Sequence, residues 1–521
     1  MHRRVTIALA ALAIVSTTVA FITYSSIIGG SNESTLPFRK LAATTFHRGE
    51  EDNTIPITFT TTPEDEQLDV LSKADLVSQF KYEKHLQALS NPLEELKWCS
   101  DPDRSNKTSN IVVSQNGFEG TMARLEFSGF GSNGPARYNL NMLPYPPSAP
   151  AQYIAFARQS PISDTDIVHH EIVYCDMDWS KGSFVARTKL ECVTPVRVLN
   201  FDEFDSPKEL CVTLEGLHIR QGQLDPRVFF SPKGEPLMIF GSNGHENCLM
   251  QYIIDLRAVI PDLGLKLGVS HLPIVYNETT PLPREKLQEI EKNWFLVYDE
   301  DENAYVHHDL VHRSITPLEP IPNVARAHPN IAQSSSTTCL TSLLSKSNDE
   351  NQETLLHQGT NSLRVTLCKF PCVPTIHNTA LMHVFHIKYR NFLEVYYRRY
   401  VVLMNVTAPF DIIGRTNNIV YTGTDEKTMV YSVSMAWDHE HFRDRRAWVD
   451  AIADSGSAWD DLEPAEAPEP AKILGHSALV NKYYHGWIDD VLVINLGIDD
   501  DDVGIMHVKA KNLLDCIITC G

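Results

Sequence analysis

The chain has 521 residues, a formal net charge of −21 at pH 7 and 43% hydrophobic residues. This apolar content is sufficient for a folded core, so the composition excludes a disordered or fibrous chain. The negative charge would repel nucleic acid and anionic membrane surfaces, so we expect no nucleic-acid partner. A phosphate-bearing ligand would need a local cluster of Arg, Lys and His.

The N-terminal region contains an uncharged segment, residues 5–28, directly after Arg3 and Arg4. As a helix with a rise of about 1.5 Å per residue it would span roughly 36 Å, which is enough to cross a bilayer. We therefore predict a transmembrane signal-anchor, with residues 1–4 as a cytosolic tail and the rest of the chain in the lumen, because flanking positive charges stay cytosolic. The alternative is a cleavable signal peptide, with residues 18–20 as its cleavage site.

The next segment, residues 29–62, is rich in Ser, Thr and Gly and reads as a stem. Residues 63–521 would then form a luminal catalytic domain, with helical spacing over residues 68–96 and a short proline-opened helix over residues 283–290. Two polar segments, 334–361 and 450–470, are expected to be surface insertions.

Most of the remaining chain consists of short apolar runs separated by turn residues, which predicts strands. The resulting fold class is all-β, a sandwich, barrel or propeller with a few peripheral helices. The predicted strands include residues 153–157, 172–174, 228–230, 237–240, 295–298, 381–385, 395–404, 429–434, 491–496 and 504–508.

A luminal location is consistent with two further features of the sequence. Glycosylation sequons occur at Asn32, Asn106, Asn277 and Asn405. All ten cysteines follow the predicted anchor, so several disulfides are expected, with a pairing that the sequence does not determine. A zinc site at Cys368 and Cys372 with neighbouring histidines is disfavoured, because the spacing is not a standard one and the compartment favours cystine.

The most informative local feature is Asp225-Pro226-Arg227, which opens an apolar strand and is followed by the turn Ser231-Pro-Lys-Gly234 and a second apolar strand. This pattern predicts a β-hairpin with a carboxylate and a guanidinium at its mouth. Taken alone, the pair could be a structural salt bridge.

Other predicted strands also carry charged or amide side chains at their ends. If the strands were blades around one axis, these ends would converge and line one pocket. The residues concerned are Arg137, Asn139, Arg158, Lys292, Asn293 and His386.

Taken together, these segments resemble the fungal β-1,2-mannosyltransferases, glycosyltransferase family 91, from about Trp98 to the C-terminus. The resemblance rests on the order and spacing of Arg137-Tyr138-Asn139, Asp225-Pro226-Arg227, Glu291-Lys292-Asn293-Trp294, Thr407-Ala408-Pro409-Phe410, Gly486-Trp487-Ile488-Asp489-Asp490 and Gly497-Ile498-Asp499-Asp500. That family is distantly similar to the β-mannoside phosphorylases, which implies a five-bladed β-propeller with the Asp in a central pocket. Those relatives usually have Glu before the Asp, whereas this chain has Leu224.

The resemblance implies transfer of mannose from GDP-mannose, in β-1,2 linkage, onto an α-mannoside of mannan or a related glycan. Forming a β-mannoside from an α-linked donor inverts the anomeric centre, so Asp225 would act as the base that deprotonates the acceptor hydroxyl. Positive side chains would hold the diphosphate, and amides with Asp490 would bind sugar hydroxyls. The substrate-binding candidates are Arg137, Asn139, Arg158, Arg227, Lys292, Asn293, His386 and Asp490.

Several alternatives stay open at the level of sequence. Asp-x-Asp pairs at residues 101–103, 176–178 and 299–301 could hold Mn²⁺ or Mg²⁺ beneath the diphosphate, although such pairs arise by chance in a chain rich in Asp. The same pocket could serve a β-mannoside phosphorylase or hydrolase, or a non-catalytic propeller that binds glycans. The transferase reading places the protein in the Golgi membrane as a single-pass type II protein.

Overall fold

The computed structural model of the chain is mostly β-sheet, as the short apolar runs separated by turn residues predict. The residues that it describes are 110–112, 123–124, 136–160, 168–179, 190–201, 211, 220–244, 247–319, 328–332, 337–344, 353–370, 372, 374–390, 395–424, 428–438, 483–499 and 502–520. The predicted anchor, the stem, the helical spacing over 68–96 and the segment 450–470 lie outside them. Within the described ranges, no helix is long and apolar enough to cross a membrane.

The strands are, in chain order, β1 (Asn110–Val112), β2 (Ala123–Arg124), β3 (Ala136–Pro144), β4 (Tyr153–Ser160), β5 (Val168–Trp179), β6 (Leu190–Cys192), β7 (Arg197–Val198), β8 (Arg220–Gly222), β9 (Leu224–Phe230), β10 (Pro236–Ser242), β11 (Met250–Asp255), β12 (Thr280–Pro281), β13 (Phe295–Tyr298), β14 (Ala304–Asp309), β15 (Ser314–Pro317), β16 (Glu353–Gln358), β17 (Leu363–Thr366), β18 (Thr379–Arg390), β19 (Val395–Asn405), β20 (Ile412–Thr416), β21 (Ile419–Tyr421), β22 (Val430–Trp437), β23 (His485–Trp487), β24 (Val491–Ile498), β25 (Asp502–Lys509) and β26 (Ile517–Thr519). The helices are short: α1 (Leu256–Val259), α2 (Leu263–Leu267), α3 (Thr338–Leu344) and α4 (Ala510–Leu513).

These strands form five sheets. Three of them run in chain order, β3-β4-β5-β6, β9-β10-β11-β12 and β13-β14-β15, each with antiparallel pairing along that path. A fourth, β2-β25-β24-β22, recruits a strand from early in the chain, and the fifth is built around β17, β18 and β19. End strands of three of these sheets meet one another, because β3 contacts β9 and β22, and β22 contacts β9.

The core lies between neighbouring sheets. One cluster of buried side chains joins Ile154 and Phe156 of β4 to Phe240 of β10 and Ile254 of β11. A larger cluster joins Ile239 of β10 to side chains of β13, β17, β18 and β24. Strands β10, β11 and β24 are buried along their whole length, which explains why their sequences are nearly continuous apolar runs.

The expectation of disulfides is confirmed. The described pairs are Cys175–Cys192, Cys211–Cys248, Cys339–Cys520 and Cys368–Cys372, and Cys516 is also disulfide-bonded. The pairing of Cys368 with Cys372 leaves neither thiolate for a metal, which removes the zinc reading of that segment.

One element prediction is wrong. Residues 283–290 form no helix, because they are tied to the chain around Cys248 instead: the Cys248 N–H donates to the Glu289 carbonyl at 2.9 Å, and Leu249 bridges Ile290. The segment 334–361, predicted as a surface loop or insertion, contains α3 and the strand β16, which pairs with β18.

Candidate functional site

Asp225 lies at the mouth of the β9–β10 hairpin, as predicted. The turn between the two strands is closed by the Gly234 N–H, which donates to the Ser231 carbonyl at 3.0 Å, and Gly234 adopts a φ of 101°. Near the open end, the pairing of β9 with β10 shifts by a β-bulge, and Asp225 adopts a left-handed φ of 48°. A bulge with a non-glycine residue in this conformation re-aims a side chain and is typical of functional sites. The Asp225 side chain is 45% exposed.

The Asp225 carboxylate is held by two other strands. The Arg158 guanidinium of β4 donates from Nη1 to Asp225 Oδ1 at 2.8 Å, and the Asn139 amide of β3 donates from Nδ2 to the same oxygen at 2.8 Å. Asn139 is itself left-handed, with a φ of 56°. Because both donors bind Oδ1, the second oxygen, Oδ2, is the one that a ligand would meet. The fold thus brings together three of the candidate residues that the sequence analysis named, Asn139, Arg158 and Asp225.

The charge around Asp225 favours its ionised form. Burial alone would raise the pKa of this carboxyl, but the charges of Arg158 and Arg227, the Arg158 hydrogen bond and the charge of Lys292 together lower the pKa below its ordinary value. Asp225 is therefore a carboxylate at neutral pH, which fits a group that accepts a proton.

Arg227 does not pair with the Asp225 carboxylate. Its guanidinium donates to main-chain carbonyls, from Nη1 to Pro226 at 3.0 Å and from Nε to Gly359 at 3.2 Å, and it lies 5.7 Å from the centre of the Tyr431 ring. The simple reading of Asp225 and Arg227 as a structural salt bridge is therefore wrong. Arg227 is buried and lines the pocket beside Asp225.

A pocket of about 260 Å³, including its open mouth, lies in front of Asp225. Lys292 is exposed on its rim, and Asn293 follows with a left-handed φ of 61° and its amide 3.5 Å from His357 Nδ1. The lining residues are Leu224, Asp225, Arg227, Gly241, Leu249, Gln251, Lys292 and Asn293. In the described part of the chain, the pocket thus combines one carboxylate with two cations and two amides.

Two other candidates face elsewhere in the described structure. Arg137 is buried on β3 and donates from Nε to Gln159 at 2.9 Å, and burial lowers its pKa. Asp490 closes a turn, because its Oδ2 accepts the Trp487 N–H at 2.8 Å. These bonds give both residues a structural explanation, and neither residue is among those lining the pocket.

His386 is fully buried on β18, under Tyr431, against which its ring stacks at 4.1 Å. Its Nε2 accepts the Ser432 N–H at 3.0 Å, which requires a neutral imidazole. Burial, and then the charge of Arg399, lowers the pKa of His386 well below its ordinary value. The expected role as a cationic phosphate ligand does not fit this placement.

The acidic pairs do not fit a metal site. Asp176 accepts from the Tyr145 hydroxyl at 2.6 Å and from Lys266 Nζ at 3.0 Å, and Asp299 closes a turn by accepting the N–H groups of Asp301 and Asn303. Asp101 and Asp103 lie outside the described residues. In the described ranges, no three His, Cys, Asp or Glu side chains are grouped to hold a metal ion.

The predicted glycosylation sites are described in part. Asn277 is exposed, and Asn405 is partly exposed at the end of β19, so both side chains can reach solvent. Asn32 and Asn106 lie outside the described residues.

Sequence reasoning missed several residues that build the site. Asn141 ties β3 to β9, donating to the Pro226 carbonyl at 2.8 Å and accepting the Val228 N–H at 3.0 Å. His170 Nε2 lies 2.9 Å from Arg158 Nη2. The second Asn in Asn139-Leu-Asn141 was a usable signal, because alternate residues of a strand share a face. His170 carries no such signal, since the sequence does not show that β5 lies next to β4 and brings this side chain to Arg158.

No protein-family model matches the chain, and no curated protein matches it. Three solved structures show a weak likeness. A glycosyl hydrolase from Bacteroides ovatus is 10% identical, with 79% of this chain and 96% of that chain covered and a TM-score of 0.34. A structure from the GH130 family of mannoside phosphorylases, described as containing glycoside hydrolases that target β-1,2 mannosidic linkages in Candida mannan, is 10% identical, with 79% and 96% covered and a TM-score of 0.37. The α-L-arabinofuranosidase of Podospora anserina, in complex with cellotriose, is 10% identical, with 77% and 98% covered and a TM-score of 0.29. At such low identities and scores, these likenesses carry no argument about the chemistry of this chain.

Proposed function

We propose that the chain is a carbohydrate-active enzyme that transfers a mannosyl group from a phosphate-bearing sugar to a mannoside, by a single inverting displacement at the Asp225 pocket. The observation that carries this proposal is the carboxylate itself. Arg158 and Asn139 fix one oxygen of Asp225, and the other oxygen is free to take the proton of an attacking hydroxyl. The lowered pKa keeps Asp225 ionised, as a base must be.

The charge of the pocket supports a phosphate-bearing partner. Arg227 and Lys292 line it, and Arg158 adjoins Asp225, so positive charge outweighs the single lining carboxylate. A leaving phosphate gains negative charge as the glycosidic bond breaks, and fixed cations stabilise that charge. Direct hydrolysis with inversion uses a second carboxylate, about 6.5–9.5 Å from the first, to activate water. Among the lining residues that the structure describes, Asp225 has no second carboxylate beside it.

The donor that we propose is GDP-mannose, and the product is a β-1,2-mannoside of mannan or a related glycan. This finer assignment rests on the sequence resemblance, as do the placement of the protein in the Golgi membrane and its glycosylation. Asn139 and Asn293 would bind sugar hydroxyls, while Arg158, Arg227 and Lys292 would face the diphosphate.

A second candidate is a β-mannoside phosphorylase, because the cations that line the pocket, Arg227 and Lys292, could hold a free phosphate as well as a diphosphate. In that reaction Asp225 would have to supply a proton to the leaving sugar, for which a raised pKa is better suited than a lowered one.

We further propose that the five sheets are the blades of a five-bladed propeller. Support comes from the contacts among β3, β9 and β22, and from β2, which adds an early strand to the sheet of β22, β24 and β25. Asn139 of β3, Asp225 of β9 and Asn293, two residues before β13, share the left-handed backbone conformation. Equivalent positions of successive blades would produce this repetition.

The experiment that tests the function uses the purified full-length chain with GDP-mannose and a short α-mannoside, and separately with a β-mannoside and phosphate. NMR of the product gives the linkage and the anomeric configuration. A β-1,2-linked mannose supports the transferase, and phosphate-dependent cleavage of the β-mannoside supports the phosphorylase. Release of free mannose without phosphate contradicts both.

Asp225→Asn is the matched variant in either assay, because it keeps the shape of the side chain and removes its basicity. Loss of about 10²-fold or more in rate is expected from a general base. Glycan binding by the wild type, with no turnover in any assay, would identify a non-catalytic binding protein instead.

A further inference from the structure

We infer that Gln358 and Gly359 position the anion-binding side of the pocket, an inference that rests on the proposed function. The two residues lie in the segment that the sequence marked as an insertion, at the end of β16. Both are buried, and neither lines the pocket. They act through Arg227 and Asn293, which both line it.

Gln358 holds the rim of the pocket. Its Nε2 donates to the Asn293 carbonyl at 2.9 Å and reaches the carbonyls of His307 and His308 at 3.2 Å each. Asn293 adopts a left-handed φ of 61°, a conformation that needs support from its surroundings. The Gln358 amide supplies this support and thereby sets the position of Lys292 and Asn293.

The main chain of Gln358 and Gly359 holds Arg227. The Gly359 carbonyl accepts Arg227 Nε at 3.2 Å, and the Gln358 carbonyl accepts the Tyr431 hydroxyl at 2.7 Å. The Tyr431 ring lies beside the Arg227 guanidinium. Gly359 itself is fixed to β18, because its N–H donates to the Val384 carbonyl at 3.0 Å. Two consecutive residues thus set the positions of a cation and an amide that both line the pocket.

The test compares Gln358→Met, Gln358→Glu and Asn361→Ala in the full-length chain. Gln358→Met keeps the volume and removes the donor. Gln358→Glu places a carboxylate against three carbonyl oxygens, which repel it, whereas its protonated form can again donate to one of them. Asn361 is the matched control, because it is a buried amide of the same segment that binds the main chain of Met435 and no pocket residue.

The measurements are the affinity for inorganic pyrophosphate by calorimetry, kcat and KM for mannosyl transfer, and the midpoint of thermal unfolding. We expect Gln358→Met to weaken pyrophosphate binding about tenfold or more, as removal of a buried hydrogen-bonding partner predicts. Gln358→Glu should bind as weakly at about pH 8 and recover as the pH falls toward about 5, because burial raises the pKa of a carboxyl. Asn361→Ala should lower the unfolding midpoint and leave pyrophosphate affinity unchanged.

Pyrophosphate binding by Gln358→Met within about twofold of the wild type would overturn the inference. So would an equal loss in Asn361→Ala, since that would show a general effect of stability. A wild type that binds pyrophosphate but forms no mannoside contradicts only the proposed function. A wild type that forms the mannoside but does not bind pyrophosphate overturns only the inference.

Discussion

At the scale of single residues, the site depends on which partner holds the Asp225 carboxylate. The sequence placed Asp225 beside Arg227, two positions away, but the structure pairs it with Arg158, from a different sheet. Local spacing could not predict this, because Arg158 lies on β4, 67 positions before Asp225, and meets it only through the packing of the two sheets. The left-handed backbone of Asn139, Asp225 and Asn293 is equally invisible in local sequence, although Asn and Asp tolerate that conformation better than most residues.

The first prediction concerns the pH dependence of the reaction. Arg158 lowers the pKa of Asp225, so Arg158→Met should raise that pKa, and the acid limb of kcat/KM should move to higher pH. Arg137→Met is the control, because Arg137 bonds to Gln159 instead of Asp225 and should leave the acid limb in place. A profile of kcat/KM against pH measures both variants, and an unmoved limb in Arg158→Met would contradict the assignment of Asp225 as the base.

The second prediction separates the amide of Asn139 from its backbone. Asn139→Gly tolerates the φ of 56° but removes the donor to Asp225 Oδ1. We expect a loss of about tenfold in kcat/KM, which is the scale of a hydrogen bond to a charged group, with little change in the unfolding midpoint. Asn139→Ala loses the same donor and adds backbone strain, so its unfolding midpoint should fall as well. Full activity of Asn139→Gly would show that Arg158 alone positions the carboxylate.

At the scale of elements, strands were predictable wherever apolar runs ended in turn residues. The strand Phe295–Tyr298 has the predicted bounds, and the hairpin of β9 and β10 forms at the expected turn. Where local pattern did not predict the element that forms, contacts with distant parts of the chain determined the structure. Residues 283–290 carry helix signals but bond to the chain around Cys248, and the polar strand β16 is held by its pairing with β18. Because this segment is polar, the sequence did not predict that its end, at Gly359, would bind Arg227.

The third prediction concerns the closed end of the β9–β10 hairpin, the turn that joins the two strands. Gly234 has a φ of 101°, which L side chains rarely adopt, so Gly234→Ala should destabilise the protein by about 1–3 kcal/mol. The neighbouring Lys233→Ala, at an exposed position of the same turn, should change stability by less than about 0.5 kcal/mol. Thermal unfolding measures both variants. Equal midpoints for the two would show that the turn relaxes at no cost.

At the scale of the whole molecule, the many short apolar runs separated by turn residues predicted the all-β class. They did not predict which strands pair with one another. Strand β2 completes a sheet whose other members lie more than 300 residues further along the chain, beginning with β22 at Val430. Only the folded structure shows such long-range pairing. Cysteine content predicted that disulfides would form, but which cysteines pair is likewise a property of the fold.

The last prediction concerns a disulfide that joins distant parts of the chain. The Cys339–Cys520 disulfide joins residues 181 positions apart and ties α3 to the C-terminal end of the chain, whereas Cys368–Cys372 spans only 4 positions. A cross-link that closes a longer loop removes more entropy from the unfolded chain, about 5 kcal/mol for the first and about 2 kcal/mol for the second on the loop-closure model. Replacing both cysteines of Cys339–Cys520 with Ser should therefore lower the unfolding midpoint more than the same replacement in Cys368–Cys372. Calorimetry of the two double variants under oxidising conditions measures the difference. The opposite order would mean that local packing around each cystine outweighs the entropy of the loop that it closes.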